Sequence, residues 1–251
     1  MQSGQEILVG SHEMAVKNVG ICAEKNLLVT GSWDKTFKLW DTKQRNSLVG
    51  TYELPDRVYC MSVCDGKAVF ATAGRHVMIF DLARPEQPLQ QRLSSLKFQT
   101  RHVECFPNGT GYALSSIDGR VAIEYFDESP GVQAQKYAFK CHREENKETG
   151  VDTVYPVNAI AFHPNHVQTF ATGGCDGNVF LWDAQNKRRL KKFQKFETSI
   201  SALAFNTDGS QLAIASSYTF EEGEKDHPAD QVYIRAISDA EVKPKARPTK
   251  K

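Results

Sequence analysis

Two twelve-residue segments of this chain nearly repeat each other, and this repeat constrains the fold more than any other feature. Residues 30–41 are TGSWDKTFKLWD and residues 172–183 are TGGCDGNVFLWD. Each segment has small residues, then an Asp turn, then a strand in which apolar and polar residues alternate. Shortened or degenerate copies occupy residues 71–81, 114–123 and 231–235. The copies divide the chain into five related units.

Further strand-like runs precede each copy. Alternating apolar runs lie at residues 15–22, 58–63, 101–106, 157–162 and 200–205. More polar runs precede those, at residues 6–9, 47–52, 89–93, 136–140 and 189–193. Four short strands repeating about every 40 to 55 residues are typical of propeller blades, and no 11-residue window has the apolar stripe of a helix. The sequence therefore predicts an all-β fold, a WD-repeat β-propeller with five blade units.

We place the propeller over residues 1–242. The predicted units span about residues 5–46, 47–88, 89–135, 136–188 and 189–238. The charged insert at residues 142–155 predicts a loop, and the basic, proline-broken stretch 243–251 predicts a disordered tail. Because WD-type rings most often have seven blades, we expect a chain that lacks two N-terminal blades, as a truncated product or isoform would. The alternative is that residues 6–9 close a five-bladed ring by supplying the strand missing after Ile234.

The residues that the copies share have a structural explanation. Trp40 and Trp182 end a strand with a bulky ring that can pack between neighbouring blades. Asp34 and Asp176 lie in turns, where a carboxylate accepts hydrogen bonds from backbone N–H groups and from a preceding histidine. In the first unit the spacing predicts a structural network of His12, Ser32, Asp34 and Trp40. A catalytic pair of His12 and Asp34 is the weaker interpretation, because the turn Asp recurs with the repeat.

Composition and motifs narrow the class of function. The formal net charge is +1, which argues against binding nucleic acid mainly through bulk charge. The apolar runs are strand-sized, shorter than the roughly 20 residues of a membrane-spanning helix. The chain has no Gly-x-Ser-x-Gly, His-Glu-x-x-His or phosphate-loop motif, and Cys141 with His142 has no partner pair at zinc-ligand spacing. We expect no enzyme activity, no cofactor, no metal, no membrane and no direct nucleic-acid partner.

Several segments go beyond a general WD repeat. They lie at residues 8–12, 31–36, 94–101, 115–122, 136–143, 155–160 and 213–218. Together they closely resemble the third family of budding-uninhibited-by-benzimidazole proteins, the WD-repeat subunits of the spindle assembly checkpoint. The resemblance runs in one register from about Gln5 to Lys245, and the usual first two blades of the family have no counterpart in it.

A related family, the messenger-RNA export factors that bind a nucleoporin through the same kind of peptide, is the alternative. It shares residues 140–143 (KCHR) and 215–218 (ASSY). Three segments favour the checkpoint family: residues 94–97 (SSLK), 99–101 (QTR) and 155–157 (YPV). The export factors have Ser-Pro-Leu-Lys, Gln-His-Arg and Tyr-Ala-Val in these places.

The resemblance implies a non-catalytic adaptor whose loop-lined face binds two kinds of peptide. One is the GLEBS motif, an acidic, partly helical segment of the checkpoint kinase and of its kinase-like relative. The other is the phosphorylated Met-Glu-Leu-Thr repeat of the kinetochore scaffold. The adaptor would carry these partners to unattached kinetochores and, through the checkpoint complex, reach the anaphase-promoting complex. It would be located in the nucleus and, in mitosis, at the kinetochore.

The resemblance and the loop positions together give the candidate site residues. In the family the Arg of the Lys-Cys-His-Arg segment contacts phosphate, which makes Arg143 the leading phosphopeptide-binding candidate, with Lys140 and His142 beside it. An arginine fork can bind a carboxylate or a phosphate through two hydrogen bonds. Further peptide-binding candidates are cations and aromatics at strand–loop junctions: Trp33, Arg75, Lys97, Arg101, Arg120 and Tyr155.

These further candidates differ in how well a structural role explains them. Trp33 stands where other copies have Gly74, Ile117 or Cys175, so packing does not require an indole there. A tryptophan at a loop is a good anchor for a peptide. Tyr155 is similar, although it could also cover a blade edge. The four cations of the set are equally consistent with solvated charges at the rim.

Overall fold

The structure, a computed structural model, describes residues 6–44 and 46–244. It is built almost entirely of β-strands, which confirms the predicted all-β class, and the two α-helices among the described residues have four residues each. The chain divides into two compact units, Met1–Leu93 and Ser94–Lys251, called unit 1 and unit 2. No helix in the described part of the chain combines the length and the apolar character that a membrane crossing requires.

Unit 1 contains two four-stranded antiparallel sheets, in which the strands follow one another in sequence order. The first sheet consists of β1 (Val16–Cys22), β2 (Leu27–Ser32), β3 (Thr36–Trp40) and β4 (Leu48–Glu53). The second consists of β5 (Val58–Cys64), β6 (Lys67–Thr72), β7 (His76–Asp81) and β8 (Gln90–Leu93). Short 3-10 helices, Ala23–Lys25 and Ala73–Arg75, connect β1 to β2 and β6 to β7.

Unit 2 continues the same meander. Its first sheet consists of β9 (Thr100–Cys105), β10 (Gly111–Ser116), β11 (Arg120–Tyr125) and β12 (Tyr137–Lys140), with α1 (Pro130–Gln133) between the last two. A hairpin of β13 (Arg143–Glu145) and β14 (Asp152–Val154) follows. The next sheet consists of β15 (Val157–Phe162), β16 (Thr169–Gly174), β17 (Val179–Asp183) and β18 (Arg188–Lys192). The last elements are β19 (Ile200–Phe205), β20 (Gln211–Ser216) and β21 (Gln231–Ala236), which form a three-stranded sheet, and α2 (Asp239–Val242).

The position of a strand in its sheet follows from its residues. Every residue of β10 and β16, second strands of their sheets, is buried. Strands covered on both faces carry nearly continuous apolar or small residues, as these two do. The fourth strands β8 and β12 alternate instead between half-buried and exposed residues. The polar fourth strand therefore covers the outer edge of each complete sheet.

Aromatic rings fill the core of unit 1. Phe37 stacks on Phe70 and Tyr52, with ring centroids 4.5 and 4.9 Å apart, and its ring centroid lies 4.7 Å from that of Phe80. In unit 2, one cluster of buried apolar side chains includes Phe106, Val121 and Phe170, and another includes Leu181, Ile200 and Ile214.

The strand predictions agree with the structure except at residues 6–9 and 142–155. The five alternating apolar runs form β1, β5, β9, β15 and β19. Residues 6–9, predicted as an outer strand, form no strand, because their backbone pairs with no sheet edge within residues 6–44 and 46–244. Residues 142–155, predicted as a loop, contain the hairpin of β13 and β14.

The sheets are offset by one strand from the predicted repeat units. The polar strands β4, β8, β12 and β18 pair with the third strand of the sheet that precedes them in the chain. The predicted units 5–46, 47–88, 89–135, 136–188 and 189–238 instead group each polar run with the strands that follow it. The antiparallel meander continues through the polar strand, which completes one sheet before the chain enters the next. Of the predicted tail, only Lys243 and Pro244 lie among the described residues.

Candidate peptide-binding surface

The candidate site residues lie at one end of the sheets in each unit. Because neighbouring strands are antiparallel, the loop from the second to the third strand and the loop from the fourth strand to the next sheet leave the same end. In the first sheet Val16 pairs with Ser32 and Thr36 pairs with Glu53, which places residues 33–35 beside the segment after β4. This end of each sheet is called its loop end.

A chain of hydrogen-bonded side chains supports the first of these loops. The Trp40 indole Nε1–H donates to Thr30 Oγ1 over 2.8 Å, and Thr30 Oγ1 lies 2.7 Å from His12 Nε2. His12 Nδ1 lies 2.8 Å from Asp34 Oδ2. Since an ionised carboxylate can only accept, His12 donates its Nδ1–H to Asp34, and its Nε2 shares a hydrogen bond with the Thr30 hydroxyl. Ser32 Oγ accepts the backbone N–H of Asp34 over 3.1 Å.

The same arrangement recurs in unit 2. Trp182 Nε1–H donates to Thr172 Oγ1 over 2.9 Å, Thr172 Oγ1 lies 2.9 Å from His142 Nε2, and His142 Nδ1 lies 2.7 Å from Asp176 Oδ1. Asp176 also accepts the backbone and side-chain N–H groups of Asn178. Burial alone would raise the pKa of Asp176, but the hydrogen bonds from His142 and Asn178 and the interaction with the imidazole lower it.

This placement corrects the prediction that His142 binds phosphopeptide. The residue is 0% exposed and both ring nitrogens are already hydrogen-bonded, so no atom is left to contact a ligand. His142 lies 34 residues before Asp176, whereas His12 lies 22 residues before Asp34. The longer separation in unit 2 is due to residues 143–154, which form the hairpin of β13 and β14. Because of this insert, the sequence does not show that His142 and His12 occupy the same position in their networks.

Sequence reasoning missed the threonines that link tryptophan to histidine. Thr30 and Thr172 occupy the same position in the two strongest copies of the repeat, each followed by a glycine. The Thr-Gly pair that begins both copies is the sequence signal from which these two threonines could have been predicted.

The hydrogen bonds on Asp34 predict a pH-dependent contribution to stability. Burial alone would raise the pKa of Asp34, but hydrogen bonds from Thr36, His12 and the Glu13 backbone lower it from 3.8 to about 2. A carboxylate with a lowered pKa stabilises the fold above its ordinary pKa, and this contribution disappears as the pH falls through the lowered value. We expect Asp34→Asn to reduce the free energy of unfolding by about 2 kcal/mol at neutral pH.

The difference between Asp34→Asn and the parent chain should shrink as the pH falls from near 4 to about 2. Urea unfolding followed by circular dichroism at several pH values measures it. Asp65→Asn, which removes an exposed carboxylate paired with Lys67 at 3.0 Å, is the control and should change stability by less than about 1 kcal/mol. A deficit in Asp34→Asn that is the same at every pH would contradict the role of the ionised carboxylate.

The loop end of unit 1 carries an aromatic and cationic patch. Trp33 follows β2 directly, its backbone N–H donates to the Ala15 carbonyl over 3.0 Å, and its side chain is 39% exposed. The Arg57 guanidinium lies 5.8 Å from the Trp33 ring centroid and 5.9 Å from that of Tyr59. Arg57 is not among the sequence candidates. Arg75 lies in the turn between β6 and β7 with φ of +66°, so its backbone is in the left-handed region.

Arg101 is held in place by Asn158. Its Nε and Nη2 both donate to Asn158 Oδ1, over 3.1 and 2.8 Å, and Asn158 Nδ2 donates to the Ile200 carbonyl over 3.1 Å. These contacts join β9, β15 and β19, the first strands of three successive sheets. Lys97, in the segment before β9, is exposed. Of these two candidates, Arg101 braces the sheets and Lys97 is accessible to a ligand.

Arg120 and Lys140 lie directly opposite each other on β11 and β12. Opposed residues of an antiparallel pair have their side chains on the same face, so the two cations are neighbours. Asp118 Oδ2 lies 2.9 Å from Arg120 Nε and offsets one of these charges, while Lys140 is exposed. Gly119, which directly precedes Arg120 and has a φ of +69°, approaches the His142 carbonyl so closely that a Cβ would collide with it.

Arg143 is the first residue of the hairpin. Its Nη1 forms an ion pair with Asp152 Oδ2 on the facing strand, and its side chain is 18% exposed. Its Nε–H is buried and has no hydrogen-bond partner among the described residues. An unpaired buried donor is unfavourable until an acceptor reaches it. Arg143 therefore has one donor, Nη1, bound to Asp152 and another, Nε–H, without an acceptor among the described residues.

Tyr155 braces this hairpin. Its backbone N–H donates to the His142 carbonyl over 3.0 Å, and its hydroxyl donates to Glu144 Oε2 over 3.1 Å. Burial and the Glu144 carboxylate raise the pKa of Tyr155, so the hydroxyl keeps its proton and its donor role. Lys195 Nζ lies 3.3 Å from Glu144 Oε1. Tyr155 thus fixes the segment that carries Arg143.

A cavity of about 280 Å³ adjoins Tyr155 within unit 2. Its lining combines aromatic rings, among them Phe196 and Tyr218, with the cations Lys195 and Lys225 and with several carboxylates. Sequence reasoning did not assign a ligand-binding role to these four residues. Lys195 and Phe196 come from the loop between β18 and β19, and Tyr218 and Lys225 from the loop between β20 and β21, so only folding brings them together.

The sequence repeat, the all-β fold and the hydrogen-bond network of Trp, Thr, His and Asp together define a WD-repeat protein of the β-propeller class. The family model described as WD domain, G-beta repeat, matches residues 5–41 and 148–183, which contain the two strongest copies. A chain in the crystal structure of the mitotic checkpoint complex has a similar fold, with a TM-score of 0.71 at 14% identity. The match covers 92% of this chain and 64% of that one, less than two thirds of its length. The number of blades stays a prediction.

Sequence relatives identify the family. Mitotic checkpoint protein BUB3.1 of Arabidopsis thaliana is 55% identical over 248 residues, 97% of this chain and 72% of that protein. Mitotic checkpoint protein bub3 of Dictyostelium discoideum is 51% identical, over 96% of this chain and 73% of that protein. The chain belongs to the BUB3 family of mitotic checkpoint proteins. This confirms the resemblance and supports a role in the spindle assembly checkpoint, in a family typical of non-enzymatic scaffolds.

A relative of the alternative family also matches. The poly(A)+ RNA export protein of Schizosaccharomyces pombe is 37% identical, over 98% of this chain and 70% of that protein. Its identity is lower than that of the two checkpoint relatives above, while the spindle assembly checkpoint protein bub3 of the same yeast is 35% identical over 95% of this chain.

Proposed function

We propose that this chain is a spindle assembly checkpoint adaptor that binds two kinds of peptide at the loop ends of its sheets. One kind is the GLEBS-type segment of the checkpoint kinase and its kinase-like relative. The other is the phosphorylated Met-Glu-Leu-Thr repeat of the kinetochore scaffold. By binding both, the adaptor recruits the kinases to unattached kinetochores and, through the checkpoint complex, reaches the anaphase-promoting complex. The proposal includes a nuclear location and a kinetochore location in mitosis.

The observation that carries phosphate binding is the bonding of Arg143. One arm of its guanidinium holds the Asp152 carboxylate, while its Nε–H has no acceptor among the described residues. A phosphate carries close to two negative charges and three acceptor oxygens, so it can satisfy both arms of one fork. Lys140, three residues before Arg143, adds an exposed positive charge, and Arg120 lies opposite it on β11 with its own charge offset by Asp118. This arrangement supports docking of a phosphothreonine at Arg143.

The patch on unit 1 supports the binding of an acidic, partly helical peptide. Trp33 offers apolar area, and the Arg57 guanidinium near its ring offers positive charge. Large aromatic and arginine side chains dominate the binding energy of protein interfaces. An acidic, partly helical GLEBS segment is complementary in charge to this patch and can bury apolar area against the Trp33 ring.

Titration of labelled peptides tests the proposal. The probes are a Met-Glu-Leu-Thr peptide with and without phosphate on its threonine, a GLEBS peptide of the checkpoint kinase and a GLEBS peptide of the nucleoporin. We expect the phosphate to tighten binding by about ten-fold or more, because charge-assisted hydrogen bonds contribute about 1.5–3 kcal/mol. Equal binding of the phosphorylated and plain peptides would exclude phosphate recognition.

The second candidate function is a messenger-RNA export adaptor. The fission-yeast export relative favours it through 37% identity over nearly the whole chain. In that case the nucleoporin GLEBS peptide should bind more tightly than the kinase GLEBS peptide, and the chain should crosslink to messenger RNA in cells. The opposite preference supports the checkpoint adaptor.

Asp152 competes with the phosphate for Arg143 in this proposal. We expect Asp152→Asn to tighten binding of the phosphorylated peptide about two- to five-fold, because the ligand no longer has to displace a carboxylate from a partly exposed ion pair. Fluorescence polarisation with the phosphorylated probe measures the change.

The control for Asp152→Asn is Glu148→Gln, which removes one negative charge from the same hairpin but leaves the Arg143–Asp152 pair intact. It should leave the affinity nearly unchanged. If Asp152→Asn weakens binding instead, Asp152 orients Arg143 for the ligand and does not compete with it.

A further inference from the structure

Unit 1 has a groove between its two sheets. It is bounded by β4 and the segment after it on one side, and by β7, β8 and the loop between them on the other. Its volume is about 560 Å³. Pockets that enclose ligand groups have volumes of about 300–1,000 Å³. The groove is therefore large enough to enclose side chains of a ligand.

The floor of the groove is apolar and rigid. Met78 and Phe80 line it and also belong to the buried apolar cluster of unit 1. The Phe80 ring centroid lies 4.7 Å from that of Phe37, which stacks on Tyr52, another lining residue. Rings that the core already fixes lose little conformational entropy when a ligand contacts them. A thioether beside an aromatic ring also adapts to different apolar side chains.

Proline residues form part of the opposite wall. Pro85 is buried and Pro88 is half-buried, both in the loop between β7 and β8. Proline has a fixed φ and no backbone N–H, so it presents a preformed apolar surface and cannot pair with an added strand through its nitrogen. The groove thus favours the burial of side chains over the addition of a strand.

The charged residues that line the groove are both acidic. They are Glu53 and Glu86, and both are exposed. Burial, and secondarily the charge of Glu86, raise the pKa of Tyr52, which places the Glu86 carboxylate near this ring. Among the described residues of the lining there is no lysine or arginine. An apolar floor with an acidic rim is complementary to an apolar side chain that has cations beside it.

We propose that this groove binds a short peptide segment of a partner protein in which large apolar side chains are flanked by Lys or Arg. The apolar side chains contact Met78 and Phe80, and the flanking cations pair with Glu53 and Glu86. This ligand is opposite in charge to the acidic and phosphorylated peptides of the proposed function. The groove therefore selects a different set of partners, and the inference does not depend on that function.

The test uses the full chain and the labelled peptide Gly-Arg-Leu-Phe-Arg-Gly as the probe. We expect saturable binding by fluorescence polarisation, weakened by added salt because exposed ion pairs are screened. A probe with Glu in both Arg positions, and one with Ala in place of Leu and Phe, should each bind about ten-fold more weakly or worse.

Charge reversal locates the site. The double variant Glu53→Arg with Glu86→Arg changes two exposed side chains and should weaken binding of the probe about ten-fold or more while leaving binding of the phosphorylated peptide unchanged. The matched control, Glu128→Arg with Glu148→Arg in unit 2, makes the same change of net charge and should bind the probe like the parent. Three results overturn the proposal: no binding to the parent, equal binding of the acidic probe, or equal binding to the Glu53/Glu86 variant.

Discussion

Asp176→Ala is expected to lower the free energy of unfolding by about 3 kcal/mol or more. The substitution leaves the His142 Nδ1–H and two N–H groups of Asn178 without their acceptor. The His142 and Asp176 side chains are essentially inaccessible, so water cannot replace the lost carboxylate without repacking. Each buried donor left unpaired costs about 1–3 kcal/mol. Urea unfolding followed by circular dichroism measures the loss.

Asp118→Ala is the matched control in the same unit. Asp118 occupies the corresponding turn in the sheet of β9 to β12, but its partners are Ser116 and Arg120, and among the described residues no histidine is bonded to it. Because this site is closer to solvent, we expect a loss of only about 1 kcal/mol. Equal losses in the two variants would show that the histidine network adds nothing to an ordinary turn aspartate.

Arg143→Ala is expected to weaken binding of the phosphorylated Met-Glu-Leu-Thr peptide about ten- to one-hundred-fold. The fork supplies charge-assisted hydrogen bonds worth about 1.5–3 kcal/mol, and alanine removes all of them. The unphosphorylated peptide should lose much less affinity, because it has no dianion to pair with the guanidinium. Isothermal titration with both peptides separates these effects.

Two further variants test whether the loss of phosphopeptide affinity depends on Arg143 itself. Lys140→Ala removes an exposed point charge without a planar fork, so we expect a smaller loss of about two- to five-fold. Arg84→Ala removes an exposed arginine from the loop between β7 and β8 and should leave phosphopeptide affinity unchanged. If Arg143→Ala weakens binding of both peptides by the same factor, the residue supports the hairpin and does not recognise the phosphate.

The fold could be predicted from the sequence because its signals are local. Alternation of apolar and polar residues gives a strand wherever it occurs, and the five alternating runs became β1, β5, β9, β15 and β19. The assignment of the polar runs to sheets could not be predicted in the same way. Periodicity identifies a strand but not the neighbour that its backbone bonds to, and β4 pairs back to β3.

The candidate site was predicted only in outline. The sequence places cations and aromatics in loops, and the position of Trp33 and Arg143 follows from that. It could not assign His142 to the buried network, because the twelve residues of the hairpin conceal its relation to Asp176. It also could not find Arg57 beside Trp33, since the two residues belong to different loops.

The all-β class, the WD repeat and the family can be recognised from the sequence alone, because each depends on residue types at fixed local spacings. Which cations remain accessible depends on the tertiary fold. Arg101 is bonded to Asn158, 57 residues away, and Arg143 to Asp152 on the facing strand of its hairpin, whereas Lys97 and Lys140 are exposed. Hydrogen bonds and ion pairs depend on distances of a few ångströms between side chains. Folding sets those distances among residues far apart in the chain, and no local pattern records them.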